Sequence, residues 1–152
     1  WFVAHLLTHY SKQIPKKVSL VRPPKHTPYG FGGLNENELI EAYEHRIPLD
    51  KLNTIARLWE HYRYDNTEAL ISQAKELEKE YPFMLPAVQA HLDRIPTDTY
   101  PGRPVQVLKD IMEELQTRDF GTIFRAFNQR QSIYGFGDLQ VKRMYDDLIQ
   151  DP

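Results

Sequence analysis

Apolar side chains recur at a helical spacing through the middle of the chain. Leu52, Ile55 and Trp59 follow one another three or four positions apart, with Ala56 and Tyr62 beside them. Charged residues fill the positions between, so the segment predicts an amphipathic helix with one face buried in a core. It is the clearest helical pattern in the sequence.

Start and stop signals predict further helices on both sides of this segment. Asn35 followed by Glu38 is a capping-box arrangement, in which each side chain satisfies a free backbone N–H of the other residue. Asp50 is a candidate N-cap for the amphipathic helix. Two more helices are predicted over 67–81 and 86–95, because threonine and proline residues mark their ends.

Residues 101–152 predict a compact lobe of three helices. Pro104 suits the first turn of a helix whose apolar face contains Leu108, Ile111 and Leu115. A second helix follows around Ile123 and Phe127, and a third begins at Asp138. Three helices with short connections resemble the core of a winged-helix domain.

The N-terminal segment, 1–34, has a different pattern. An apolar stripe predicts a buried helix that ends near Gln13, and 17–22 alternates like a single strand before a Pro- and Gly-rich loop. A helix and one lone strand indicate the end of an α/β layer whose other strands are missing. The predicted fold class is α+β, mostly α-helical, with an α/β remnant (1–34), a helical block (35–100) and a winged-helix-like lobe (101–152).

Composition excludes several kinds of chemistry. The chain contains no cysteine, which removes disulfides, thiolate metal sites and a cysteine nucleophile. The apolar opening has no basic leader, and no apolar run reaches the length of a membrane span, so we expect a cytoplasmic protein without a membrane partner. The sequence starts at Trp1 rather than at a methionine, which suggests a fragment of a longer chain.

The order of residues in the second half is similar to that of a known family. The runs YPFMLPAVQAHLDRIP (81–96), FGTIFRAF (120–127) and YGFGDLQVKRMYDDL (134–148) resemble the downstream half of a bacterial family catalogued as domain of unknown function eighteen thirty-five. The segments LNENELIEAYEHRIPL and IARLWEHY look like its middle region. The resemblance implies a longer parent chain with α/β elements before Trp1, and it carries no assigned catalytic residues.

A nucleic-acid site is the first functional hypothesis for the C-terminal lobe. A three-helix unit can place polar side chains of its last helix in a major groove while arginines contact phosphates. The lobe has a net charge of −1, so an ordinary packing or regulatory lobe is the competing interpretation. The candidate nucleic-acid-binding residues are Arg125, Arg130, Gln140, Lys142 and Arg143.

A second polyanion hypothesis concerns the N-terminal segment, where residues 1–33 carry five basic side chains and no acidic one. Lys16, Lys17, Arg22 and Lys25 are candidate anion-binding residues near the glycines of 29–33. The glycine spacing matches no phosphate-binding fingerprint, so a turn that requires positive φ is the simpler explanation.

Two histidines, His5 and His9, have a spacing that can place both imidazoles on one metal ion. The sequence indicates no third ligand nearby, so neither a metal nor another cofactor is predicted. No Gly-x-Ser-x-Gly elbow and no identifiable acid–base pair is present, so no catalytic residue is assigned.

These patterns favour a non-enzymatic binding or regulatory module, with nucleic acid or another protein as partner. The alternative is a helical cap of an α/β enzyme or ligand-binding protein that acts on a nucleotide or another phosphorylated ligand. Steep weakening of binding by salt would favour nucleic acid, and ligand-dependent thermal stabilisation would favour the alternative.

Overall fold

The computed structural model describes residues 1–10, 17–24 and 30–150, which are mostly helical and include one small antiparallel sheet. The chain divides into two compact units, Trp1–Leu85 and Pro86–Pro152. The elements of the described residues are α1 (Phe2–His9), β1 (Ser19–Leu20), α2 (Glu36–Glu44), β2 (Ile47–Pro48), α3 (Leu52–Arg63), α4 (Thr67–Leu77), α5 (Met84–Asp93), α6 (Arg103–Leu115), α7 (Phe120–Gln131) and α8 (Asp138–Gln150).

In the N-terminal unit, α3 packs against both α1 and α4. The predicted amphipathic pattern of α3 is confirmed, because Leu52, Ile55 and Ala56 are buried, as is Leu58, while Trp59 is half-buried. The rings of Phe2 and Trp59 lie 4.8 Å apart between their centroids, which places an aromatic contact in the α1–α3 interface. The helix therefore buries an apolar face against neighbours on two sides.

The predicted capping box at the start of α2 is confirmed. The Asn35 side chain accepts a hydrogen bond from the Glu38 N–H at 3.1 Å, and the Asn35 N–H donates to Glu38 Oε2 at 2.8 Å. Helix α2 buries only Ala42 and leaves Leu39 and Ile40 exposed. Because so little of α2 is buried, its stability depends strongly on the capping of its ends, more than the stability of a well-packed helix does.

Substitution of Asn35 by alanine should lower the stability of α2 by about 1 kcal/mol, because it leaves first-turn N–H groups without an acceptor. Hydrogen exchange of the α2 amides measures this effect directly. Asn37→Ala is the matched control, since Asn37 is an exposed residue inside the same helix and alanine is the stronger helix former. Equal or faster exchange in the control would contradict the assignment of the effect to the cap.

Strand β1 has a partner within the chain, so the prediction of a lone strand is wrong. Ser19 pairs with Pro48 and Leu20 with Ile47 in a two-stranded antiparallel sheet. The sequence predicted a strand over 17–22, whereas the observed strand has only two residues. Membership of β1 in a larger α/β layer stays a prediction.

Two predicted boundaries differ from the structure, and a third falls outside the described residues. Helix α3 begins after Lys51 without a side-chain cap, so Asp50 does not cap it. Helix α5 begins at Met84, which places Pro86 in its first turn, where a proline removes no helical hydrogen bond. Helix α1 ends at His9, and the predicted end near Gln13 lies outside the described residues.

The C-terminal unit contains one apolar core made by its last three helices. Its side chains are buried because α6, α7 and α8 pack on one another through the apolar stripes that the sequence predicted. Leu115, at the end of α6, is 38% exposed, so its predicted place on the buried face is wrong. The core consists of Leu108, Ile111, Ile123, Phe127, Val141 and Tyr145.

The structure groups the predicted N-terminal segment 1–34 with residues 35–85 in one compact unit. The packing of α1 on α3 and the pairing of β1 with β2 join these parts. The predicted domain boundaries at 34 and 100 stay predictions about independent units.

Candidate functional site

Two histidines of α1 and one glutamate of α3 converge in the N-terminal unit. His9 Nε2 lies 3.2 Å from Glu60 Oε1, and His5 Nδ1 lies 3.7 Å from the same oxygen. The two imidazole rings are stacked, with centroids 4.2 Å apart. One ligand atom from each of the three side chains lies within 4.8 Å of the other two.

The backbone and Thr8 contact His9 through its Nδ1 atom. His9 Nδ1 lies 3.1 Å from the His5 carbonyl oxygen, which can only accept a hydrogen bond. The Thr8 hydroxyl lies 2.9 Å from the same nitrogen and donates its own proton to the carbonyl of Ala4 or His5. In the tautomer that carries hydrogen on Nδ1, the ring donates to the His5 carbonyl and presents the Nε2 lone pair toward Glu60.

His5 is the buried member of the group. Its residue surface is 7% exposed, and its Nδ1 atom has no hydrogen-bond partner among the described residues. Glu60 and His9 are more open, with side chains 37% and 46% exposed. A buried polar atom without a partner is unusual, because desolvation of such a group is not offset.

Two of the predicted nucleic-acid-binding residues have polar partners within the C-terminal unit. Arg130 Nη2 lies 2.7 Å from Glu114 Oε2, so its charge is balanced by a carboxylate. The Gln140 side chain accepts a hydrogen bond from the Gly137 N–H at the start of α8. Arg143 is exposed, and it lies away from Lys142 around the helix, because successive helical residues point in different directions.

Three cationic residues lie in or beside the start of α7, and one of them lies over the ring of Phe120. Lys142 Nζ lies 5.7 Å from the centre of the Phe120 ring and also forms an ion pair with Asp146. Arg125 donates a hydrogen bond to the Thr122 hydroxyl at 3.0 Å, one turn into the same helix. Arg118, exposed in the turn before α7, is the third. We call Arg118, Arg125 and Lys142 the cationic corner.

Hydrogen bonds and a short turn hold this corner in place. The Tyr145 hydroxyl donates to the Arg118 carbonyl at 2.9 Å, which ties the turn to α8. Asp119 caps α7 by accepting a hydrogen bond from the Thr122 N–H at 2.8 Å. Hydrogen bonds from the Thr122 side chain and backbone lower the pKa of Asp119, with a smaller contribution from the Arg125 charge. The carboxylate therefore remains ionised beside the arginine.

The predicted anion-binding residues are only partly within the described residues. Lys17 and Arg22 are exposed, and the Arg22 guanidinium lies 4.1 Å from the centre of the Phe83 ring. Arg22 also lines an open depression with Glu38 and Glu41, whose carboxylates disfavour an anion there. Gly30 adopts a φ of +57°, as expected for a turn that requires glycine. Lys16 and Lys25 lie outside the described residues.

The sequence could not locate the third member of the histidine group. Glu60 lies on a different helix and resembles the solvated carboxylates around it, so only the packing of α1 on α3 identifies it. Arg125 and Lys142 were among the predicted nucleic-acid-binding residues, but their grouping with Arg118 was hidden, because it combines the turn before α7, α7 itself and α8. Local sequence spacing carries no signal for either arrangement.

Comparison with known proteins identified no relatives: no family model matches the chain, and neither a similar curated protein nor a similar solved structure was found. The resemblance to the domain of unknown function therefore stays a prediction. Within the described residues, no helix combines the length and apolar character needed to span a membrane.

Proposed function

We propose that this protein is a non-enzymatic binding module whose C-terminal unit contacts nucleic acid. The observation that supports this most directly is the cationic corner. Lys142 Nζ lies 5.7 Å from the centre of the partly buried Phe120 ring, Arg118 lies in the turn before α7, and Arg125 lies in the second turn of α7. Cationic side chains beside an aromatic ring can contact both phosphates and bases.

The local chain path also fits a nucleic-acid-binding role. Helices α6 and α7 are joined by residues 116–119, a turn as short as those of helix-turn-helix proteins. In such proteins the N-terminal end of the second helix approaches the groove. The proposal therefore assigns the contact surface to the start of α7 rather than to α8, and the likeness of the unit to a winged-helix core is part of the same proposal.

The surrounding carboxylates set the strength of the interaction. Asp119 and Asp146 lie beside Arg125 and Lys142, so part of the cationic charge is already balanced. We expect weak binding without sequence preference, of the kind that phosphate contacts alone provide. About three phosphate contacts to duplex DNA correspond to a slope of roughly −3 in a plot of log K against log salt concentration.

Fluorescence anisotropy with labelled duplex and single-stranded oligonucleotides tests the proposal. The double variant Arg118→Gln/Arg125→Gln should weaken duplex binding at low salt by about 10-fold or more, and should make the salt slope shallower by about 2. The matched control is Arg94→Gln/Lys109→Gln, which removes the same charge from exposed positions of the same unit. The control should retain the slope of the unsubstituted protein.

Binding that does not depend on salt, or an equal loss in the control, would contradict the proposal. A rise in Tm with a nucleotide, without a salt effect on binding, would instead favour a site for a phosphorylated small ligand. The comparison of duplex with single strand then shows whether the Phe120 ring contributes by stacking on an unpaired base.

A further inference from the structure

We propose that His5, His9 and Glu60 form a binding site for one divalent transition-metal ion, with zinc as the preferred ion. The site joins α1 to α3 within the N-terminal unit. It is separate from the nucleic-acid proposal and does not depend on it.

The spacing of the ligand atoms is close to that of a tetrahedral site. Zinc bonds of about 2.0–2.1 Å to nitrogen or oxygen place neighbouring ligand atoms roughly 3.3 Å apart. The distances from Glu60 Oε1 to His9 Nε2 and His5 Nδ1 are 3.2 and 3.7 Å, and all three atoms lie within 4.8 Å of one another. Small rotations of His9 and Glu60, both partly exposed, complete the geometry.

The contacts of His9 with its own helix favour a cation between these side chains. When the hydrogen of the ring is on Nδ1, His9 donates it to the His5 carbonyl or the Thr8 hydroxyl, and Nε2 faces the carboxylate as an acceptor. Two acceptors at 3.2 Å repel each other unless a proton or a metal ion lies between them. Fixing a histidine through its other nitrogen is also the usual way in which proteins orient a metal ligand.

A proton on His9 accounts for only part of the arrangement. The resulting ion pair with Glu60 would satisfy His9, but His5 Nδ1 would remain buried without a hydrogen bond. A metal ion satisfies all three groups at once, because each of them supplies one lone pair. The unpartnered nitrogen of His5 is therefore the observation that favours a metal over a simple ion pair.

The ligand set indicates the class of metal and the type of site. Two imidazoles and one carboxylate suit zinc and its neighbours better than magnesium or calcium, which prefer oxygen ligands. Three protein ligands leave a fourth position for water, unlike structural zinc sites with four protein ligands. We therefore expect an exchangeable ion that stabilises the docking of α1 on α3.

Isothermal titration of the full chain with zinc chloride tests this site. One zinc ion per chain should bind, and both His9→Ala and Glu60→Gln should weaken the affinity by at least about 100-fold, more than the loss of an outer-shell partner. Thr8→Val should weaken it by about 10-fold, because it removes a group that orients His9. His45→Ala is the matched control, since His45 is an exposed histidine of the same unit.

Cobalt(II) provides a second readout that does not depend on small differences in stability. The unsubstituted chain should give the intense visible absorption of a four-coordinate cobalt site, and His9→Ala and Glu60→Gln should lose it while keeping their far-UV circular dichroism. Either of two results would overturn the proposal. One is a zinc affinity that is the same in the unsubstituted chain, His9→Ala and Glu60→Gln. The other is a cobalt spectrum typical of the hydrated ion.

Discussion

Replacement of Phe127 by alanine should lower the free energy of unfolding of the C-terminal unit by about 3–5 kcal/mol. Phe127 is fully buried in the core of α6, α7 and α8, and its ring stacks on that of Phe136 with centroids 6.5 Å apart. The substitution removes a large apolar surface and leaves a cavity that the surrounding helices can only partly fill.

Urea unfolding followed by far-UV circular dichroism, together with hydrogen exchange in α6–α8, measures this loss. Leu139→Ala is the matched control, because Leu139 is 72% exposed on α8 and should change stability by less than about 0.5 kcal/mol. Both tryptophans, Trp1 and Trp59, belong to the N-terminal unit, so their fluorescence follows that unit separately. A loss below about 1 kcal/mol for Phe127→Ala would contradict the assigned core.

Gly102→Ala should be the second strongly destabilising substitution, with an expected loss of at least about 2 kcal/mol. Gly102 has a φ of +87° and a ψ of 145° just before α6, a conformation that is essentially restricted to glycine. A Cβ atom there would lie 2.5 Å from the Arg94 carbonyl oxygen. Strain in the backbone and a collision with other backbone atoms therefore act together.

Thermal or urea unfolding of Gly102→Ala, compared with Gly137→Ala, tests this expectation. Gly137 has no positive φ, and an added Cβ would meet only the flexible end of the Gln140 side chain, at 4.0 Å. Gly137→Ala should therefore cost only about 0.5–1 kcal/mol, the preference for glycine over alanine at an N-cap position. Similar losses at both positions would show that the shape of the backbone at Gly102 is not the cause.

The sequence predicts helices well where apolar residues recur at a helical spacing. Leu108 and Ile111 are both fully buried, as their spacing predicted, and the Asn35–Glu38 capping box forms because both partners are local. Leu115 falls on the same stripe but lies at the end of its helix, where less of the unit covers it. Periodicity therefore predicts the direction of a side chain better than its final exposure.

Features that depend on distant parts of the chain could not be predicted. Strand β2 has two residues, one of them a proline, and shows no alternation that would mark it as the partner of β1. Glu60 joins His5 and His9 only because α3 packs on α1. The polar side chains of the last helix were predicted to contact bases and the arginines before it to contact phosphates. Contacts that join the turn before α7, α7 and α8 could not be predicted from local spacing.

The pairing of β1 with β2 makes the connection between them a suitable place for added sequence. Leu20 pairs with Ile47 although residues 21–46 lie between them in the sequence. The entropy of closing such a loop changes slowly with the length of the loop. Doubling the length would raise the free energy of closure by only about 0.6 kcal/mol. An epitope or fluorescent tag inserted at the exposed Gly32, where an added Cβ would have open space, should leave both termini of the chain unaltered for labelling or fusion.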